Sequence, residues 1–171
     1  MTDQPQVGIL TISDRSSRGE RSDASGPVIH HMVVERLKWV VAIEQIVPDE
    51  RAVIGDILRA WCDDLQLNLI LTTGGTGFAP RDVTPEATRD VIEREAPGLA
   101  EAMRADSLQK TPHAMLSRAA CGLRGRTLIV NLPGSPKAVR ENLETILPAI
   151  PHAIDLLREA PDTEAGHTRT A

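Results

Sequence analysis

Residues 67–87 contain the densest group of side chains that could act on an anionic ligand. Their segment TTGGTG places three glycines within positions 74–77, so the backbone there can adopt positive φ angles and bring N–H groups close to a ligand. Arg81 and Asp82 follow the glycines and add a cation and a carboxylate. An acid and an arginine so near a glycine loop favour a site for a phosphate group and a metal ion.

The glycine loop matches neither of two common phosphate-binding fingerprints. No lysine follows the glycines, as the pattern GxxxxGK[ST] requires, and the pattern GxGxxG would need glycine or alanine at Pro80. A plain tight turn therefore remains an alternative for these residues.

The elements that would position this loop alternate along the chain. Apolar runs predict strands at residues 7–12, 40–47, 67–71 and 127–130, and stretches with helical spacing of apolar residues separate them. This alternation predicts an α/β fold, a three-layer α/β/α domain with a mostly parallel sheet. Thr84 is expected to cap a helix that starts at Pro85, and residues 14–26 are expected to form a long loop. We expect one domain at residues 1–160 and a polar, disordered tail at 161–171.

Polar turns follow all four predicted strands. Because the carboxyl ends of parallel strands meet at one edge of a sheet, these turns should converge there. The edge would gather two carboxylates, Asp49 and Asp82, and three cations, Arg15, Arg81 and Lys137. Such a set suits phosphate groups and Mg²⁺, which prefers oxygen ligands. Alternatively, Asp49 caps the following helix and the basic side chains are only solvated.

Composition excludes several other classes of function. The chain has 171 residues, a net charge of −5 and no run of basic residues, so nothing predicts binding to nucleic acid. No apolar segment is long enough to cross a membrane. Two cysteines that form no C-x-x-C pair are expected to be reduced, and the polar start of the chain resembles no leader peptide, so we expect a cytoplasmic protein. Phe78 is the only phenylalanine, and packing in the core or a loop is favoured over ring stacking.

A series of ordered motifs between residues 7 and 157 resembles the molybdopterin adenylyltransferases, the bacterial MogA-type enzymes and the G domains of proteins such as gephyrin. The motifs are SDR at 13–15, PDE at 48–50, TTGGTG at 72–77, RDVTPEAT at 81–88, TPHAMLSR at 111–118 and NLPGSPK at 131–137. They are long and specific, and they cover nearly the whole predicted domain.

The resemblance implies an enzyme that transfers AMP from ATP to the terminal phosphate of molybdopterin and releases pyrophosphate in the presence of Mg²⁺. It also implies a homotrimer and a downstream molybdenum-insertion enzyme as partner. Asp49 and Asp82 would be the essential acids. The residues that would contact the nucleotide, the pterin or the transferred phosphates are Ser13, Arg15, Thr73, Gly74, Gly75, Thr76, Gly77, Arg81, Ser117, Asn131, Pro133, Gly134 and Ser135.

The two acids are interpreted as ligands of Mg²⁺ rather than as bases. A phosphate monoester has a second pKa of roughly 6, so the molybdopterin phosphate is mostly dianionic at neutral pH and needs no deprotonation. Two alternatives remain. One is a MoaB-type paralogue, which binds pterin or nucleotide but adenylates poorly, because the SDASG segment at 22–26 resembles such chains. The other is a trimeric scaffold without catalytic turnover.

Overall fold

A six-stranded sheet forms the middle layer of the molecule in a computed structural model, which describes residues 4–158. The strands are β1 (Gln6–Ile12), β2 (Val40–Val47), β3 (Leu69–Thr73), β4 (Arg94–Glu95), β5 (Cys121–Arg124) and β6 (Thr127–Leu132). Their order is β2-β1-β3-β6-β5-β4. Strands β2, β1, β3 and β6 are parallel, while β5 and β4 extend the sheet in antiparallel pairing.

Helices cover both faces of this sheet. They are α1 (Asp14–Ser17), α2 (Gly26–Met32), α3 (Arg51–Asp63), α4 (Thr84–Arg89), α5 (Pro97–Leu108), α6 (Pro136–Ile146) and α7 (Ile150–Leu157). A π-helical turn, Val33–Leu37, continues α2, and a 3₁₀ helix, Pro112–Leu116, follows α5. Within residues 4–158, no helix is both long and apolar enough to span a membrane.

The apolar strands divide their side chains between two cores. On one face, alternate residues of β1, β3 and β6 such as Ile9, Leu71 and Val130 pack against α2, α5, α6 and α7. On the other face, Leu10, Ile70 and Ile129 pack against α3 and α4. Continuous apolar runs are typical of parallel strands buried on both sides. The predicted three-layer fold and its four parallel strands are thus confirmed.

Several local predictions were wrong. The structure adds β4 and β5 where only helical connections were expected, and α1 interrupts the predicted loop at 14–26. Thr84 does not cap α4. It is the first residue of that helix, and its hydroxyl donates to the carbonyl oxygen of Gly74, 2.9 Å away. For Phe78, packing in the core or a loop was predicted, and its 67% exposure contradicts packing in the core. The predicted tail at 161–171 lies outside the described residues, and the domain boundary at 160 stays a prediction.

Candidate active site at the carboxyl edge of the sheet

The glycine loop, residues 74–77, begins where β3 ends and takes a shape that favours glycine. Gly74 and Gly75 have φ angles of 97° and 66°, in the region that L side chains rarely adopt. A side chain on Gly74 would collide with the carbonyl oxygen of Ile12 in β1. Gly74 N donates to Leu132 O at 3.2 Å, and Thr84 holds the Gly74 carbonyl. The loop is therefore fixed against β1, β6 and α4 at once.

The N–H groups that follow Gly74 are available to a ligand. The main-chain nitrogens of residues 75–78 donate to no acceptor within the part of the chain that the structure describes. The next N–H in the chain, that of Ala79, already donates to Asp82 Oδ2 at 3.0 Å. Successive N–H groups in a loop with positive φ angles make a concave site for anions. The loop thus has the donors that a phosphate group needs.

Asp49 lies just beyond β2, beside this loop. It does not cap α3, because Glu50 precedes that helix and makes no side-chain cap. The Asp49 carboxylate accepts from Asp14 N at 2.8 Å, and the Asp14 carboxylate accepts from Asp49 N at 3.1 Å. A Cβ atom on Gly75 would be only 3.1 Å from Asp49 Oδ1, so that oxygen faces the loop backbone. The reciprocal pair joins the ends of β1 and β2.

Asp82 lies on the other side of the loop. Its Oδ2 atom accepts from Ala79 N and would be 2.8 Å from a Cβ atom on Gly77. The charges of Asp49 and Asp82 act on each other. Burial raises the pKa of the Asp49 carboxyl, and the neighbouring Asp14 and Asp82 carboxylates add to this effect, although the Asp14 N–H opposes it. The predicted pair of acids thus meets at one edge of the sheet.

Arg81 connects these elements through an ion pair. Its guanidinium donates two hydrogen bonds of 2.8 Å to the two carboxylate oxygens of Asp14. This bidentate bond holds the pKa of Asp14 at about 2, below its usual 3.8. Arg81 thereby ties the segment before α4 to α1 and, through Asp14, to Asp49.

Two cavities adjoin the segment 73–77, one at Thr73 and the other at Thr76 and Gly77. The first, which we call the polar cavity, has a volume of about 120 Å³ and is lined by Ser13, Arg21, Ser22, Ser25, Thr73 and Gly134, among others. The second, the apolar cavity, measures about 280 Å³, and its lining includes Thr76, Gly77, Met103, Leu116, Ser117 and Pro133. Residues 73–77 therefore contribute to two spaces that could each hold part of a ligand.

Two of the predicted site residues use their polar side chains in hydrogen bonds within the protein. Asn131 is fully buried, and its side-chain amide group bonds to Thr72, Thr88 and Ala120 N. Thr73 lines the polar cavity, but its hydroxyl donates to Pro133 O at 2.7 Å. These bonds join β3, β6 and α4 beneath the loop.

Two other predicted residues lie away from the cavities. Ser135 caps α6 by accepting from Ala138 N and is exposed. Arg15 is exposed on α1, and it lines neither the polar nor the apolar cavity. The structure thus places neither residue at a cavity, and Lys137, the third cation expected at this edge, is also exposed and lines neither cavity.

Asp14 and Arg118 belong to this network, although sequence reasoning did not select them. Both lie within family motifs, SDR and TPHAMLSR, so those motifs could have indicated a role for them. Their partners, however, lie 32–67 residues away along the chain, beyond the reach of local spacing.

Known proteins share this architecture and sequence. Residues 8–152 match the family described as "Probable molybdopterin binding domain". The chain is 47% identical over 152 residues to the molybdopterin adenylyltransferase of Helicobacter pylori strain J99, covering 88% of this chain and 86% of that protein. It is also 49% identical over 150 residues to the molybdenum cofactor synthesis protein cinnamon of Drosophila melanogaster. That alignment covers 88% of this chain but only 25% of the longer Drosophila protein.

A solved structure agrees with the fold. The crystal structure of the molybdopterin biosynthesis enzyme MoaB from Thermus thermophilus superposes with a TM-score of 0.85 and 55% identity, covering 90% of this chain and 96% of that one. Fold, loop and sequence thus point the same way, and the chain belongs to the family of molybdopterin-binding domains.

Proposed function

We propose that this protein transfers AMP from ATP to the terminal phosphate of molybdopterin and releases pyrophosphate. The observation that carries the proposal is the run of N–H donors at residues 75–78, which lies beside two carboxylates and includes Thr76 and Gly77 of the apolar cavity. The 47% identity to a molybdopterin adenylyltransferase over most of both chains supports the same reaction.

Two cavities that share the segment 73–77 suit a reaction between two phosphorylated substrates. Each cavity would take the organic part of one substrate, and the phosphates of both would meet at residues 74–77. An oxygen of the molybdopterin phosphate attacks the α-phosphorus of ATP, and the bond from that phosphorus to the bridging oxygen breaks as pyrophosphate leaves. Holding both reactants in line is a large part of such catalysis.

The main obstacle is charge, because one anion attacks another. The attacking phosphate is already mostly dianionic near pH 7, so the site needs no general base. The free N–H groups of the loop would stabilise the charge that spreads over the phosphate oxygens. The carboxylates would hinder the reaction if they faced the phosphates without a cation between them.

The two carboxylates fit a divalent cation. Asp49 and Asp82 each use Oδ2 in a hydrogen bond to a main-chain N–H, whereas their Oδ1 atoms have no partner within residues 4–158. Mg²⁺ commonly takes one or two carboxylates together with substrate phosphates and water. We therefore assign these oxygens to hold Mg²⁺, which would neutralise phosphate charge when bound.

Arg81 and Asp14 would fix this arrangement. Their bidentate ion pair holds Asp14 where its main-chain N–H meets Asp49. The Asp49 carboxylate thus keeps one oxygen bonded and the other directed to the loop. We therefore assign Arg81 to orient Asp49, in addition to any contact that it makes with substrate.

The remaining parts of the proposal concern the assembly and the setting of the enzyme. We propose a homotrimer that passes its product to a molybdenum-insertion enzyme, on the family resemblance. Cys62 and Cys121 are free and buried, which is typical of a reducing compartment, so we place the protein in the cytoplasm.

The test is incubation of the purified protein with ATP, Mg²⁺ and molybdopterin, followed by detection of pyrophosphate. We expect pyrophosphate and adenylylated molybdopterin in equal amounts. Binding of both substrates without release of pyrophosphate would instead assign the protein to the MoaB-type alternative, which its 55% identity to the Thermus thermophilus protein makes the second candidate.

Replacing the second acid gives a more specific check. Asp82→Asn should lower AMP transfer by about 10²-fold or more, on the scale of losing one strong electrostatic group. Asp63→Asn is the matched control, because Asp63 ends α3 and pairs with Arg124 away from the loop. Near-normal turnover of Asp82→Asn in a single-turnover assay would remove Asp82 from the metal site.

A further inference from the structure

Arg118 is the residue that holds the far end of the glycine loop. Its main-chain N–H donates to Thr76 O at 2.9 Å, and its Nε donates to Gly77 O at 2.8 Å. Its Nη2 donates to Asp82 O at 2.6 Å. One residue thus binds three carbonyl oxygens of the segment that carries the free N–H groups and the second acid. Arg118 itself lines neither the polar nor the apolar cavity.

Glu86 fixes the guanidinium in turn. The Glu86 carboxylate accepts from both terminal nitrogens of Arg118. Burial works to raise the pKa of Glu86, but the hydrogen bonds and the charge of Arg118 outweigh burial, so the pKa is lowered and the carboxylate stays charged. Because Glu86 lies in the first turn of α4, this ion pair anchors the loop to the helix.

The orientation of the carbonyl groups determines that of the N–H groups. In a planar trans peptide the C=O and N–H bonds point in opposite directions. The carbonyls of Thr76 and Gly77 share their peptide planes with the N–H groups of Gly77 and Phe78. The main-chain N–H of Arg118 binds the Thr76 carbonyl and its Nε binds the Gly77 carbonyl, so the N–H groups of Gly77 and Phe78 must face away from these two donors.

We propose that Arg118 is a positioning residue for phosphate binding: its guanidinium turns the N–H group of Phe78 toward the ligand and fixes the backbone of Asp82, while its main-chain N–H orients the N–H group of Gly77. The role depends on the fork of donors in guanidinium, which can serve two carbonyls and a carboxylate at once, and not on positive charge alone. This inference deepens the proposed function and rests on it.

The variant Arg118→Lys removes the forked guanidinium donors and keeps the positive charge. We expect the Kd for ATP and for inorganic pyrophosphate to rise about tenfold in isothermal titration calorimetry, because the donors remain but are no longer aligned. The kcat for AMP transfer should fall at least as much, up to the roughly 10²-fold loss that removal of one donor to a developing charge can cause.

Arg124 provides a matched control. It also makes a bidentate bond to a carboxylate, Asp63, and donates to a carbonyl oxygen, that of Val91, but it lies at the end of β5 away from the loop. Arg124→Lys should lower Tm about as much as Arg118→Lys and leave both Kd values and kcat within about twofold of the unmodified protein. Glu86→Gln keeps an acceptor for Arg118 and should raise Kd in the same direction by a smaller factor.

The outcomes separate this inference from the proposed function. If Arg118→Lys binds ATP and pyrophosphate as tightly as Arg124→Lys does, the positioning role is wrong, whatever the unmodified protein catalyses. Should Arg118→Lys fail to fold, unchanged binding by Glu86→Gln would overturn the role. An unmodified protein that binds ATP but releases no pyrophosphate refutes the proposed activity only, and one that binds neither ATP nor pyrophosphate refutes both.

Discussion

Gly74→Ala should destabilise this protein far more than an alanine at another glycine with a positive φ angle. Gly74 has φ +97°, and a Cβ atom there would meet the main-chain carbonyl of Ile12 in β1. A flexible side chain could move aside, but this carbonyl belongs to a strand paired on both sides. The loop must therefore shift, and with it the bonds that Gly74 makes to Leu132 and Thr84.

The size of the effect can be worked out from these contacts. Placing a non-glycine residue in the left-handed region costs about 1–2 kcal/mol. Losing the bond from Gly74 N to Leu132 O adds about 0.5–1.5 kcal/mol, and leaving the fully buried Thr84 hydroxyl without its acceptor adds about 1–3 kcal/mol. The free energy of unfolding should fall by about 2.5–6.5 kcal/mol, a large part of the roughly 5–15 kcal/mol typical of a domain.

Gly125→Ala is the control for backbone strain alone. Gly125 has φ +53° in the turn between β5 and β6, and a Cβ atom there would meet no heavy atom within 4 Å. Its substitution should therefore cost only about 1–2 kcal/mol. Urea unfolding followed by circular dichroism measures both variants. Equal losses for Gly74→Ala and Gly125→Ala would refute the argument that contact with Ile12 fixes the loop.

Three further predictions use the pKa values. Asp49→Asn should raise the Tm of the ligand-free protein near neutral pH, because burial and neighbouring carboxylates raise the pKa of Asp49 and destabilise its charged form. The gain in Tm should shrink as acid protonates Asp49, and a lower Tm at about pH 7 would contradict this prediction. Arg81→Gln should lose the stability that comes from the depressed pKa of Asp14, so its deficit in unfolding free energy should be full above about pH 4 and vanish as pH falls toward about 2. Burial raises the pKa of Cys62 to about 11 and of Cys121 to about 12, so iodoacetamide at about pH 8 should alkylate neither thiol until urea unfolds the chain, as mass spectrometry would show.

The fold was largely predictable because its parallel strands are continuous apolar runs. Residues such as Ile70 and Ile129 are buried between two helical layers, and that burial is what the runs predict. Strand β5 escaped prediction because its sequence, CGLR, has no apolar pattern, and it forms by pairing with β6 across a turn at Gly125. Strand β4 has two residues and exists only through its pairing with β5.

The error at Thr84 has a similar cause. Threonine before proline is a common signal for a helix cap, and the local rule predicted one. In the structure the hydroxyl of Thr84 instead donates a hydrogen bond to the Gly74 carbonyl of the glycine loop. A tertiary acceptor thus replaced the local one, and no pattern within a few residues could have indicated it.

The sequence by itself determined which chemical groups stand at the carboxyl edge of the sheet. Parallel strands bring their carboxyl ends to one edge, so acids and glycines that follow such strands must be neighbours. Only the tertiary structure decided which atoms of those groups remain free for a ligand. It bonds the side-chain amide of Asn131 within the scaffold, leaves Arg15 outside both cavities, and uses Arg118 to turn carbonyls away from the site. Those outcomes depend on hydrogen bonds between residues far apart in the chain, and such partners are chosen only when the layers pack.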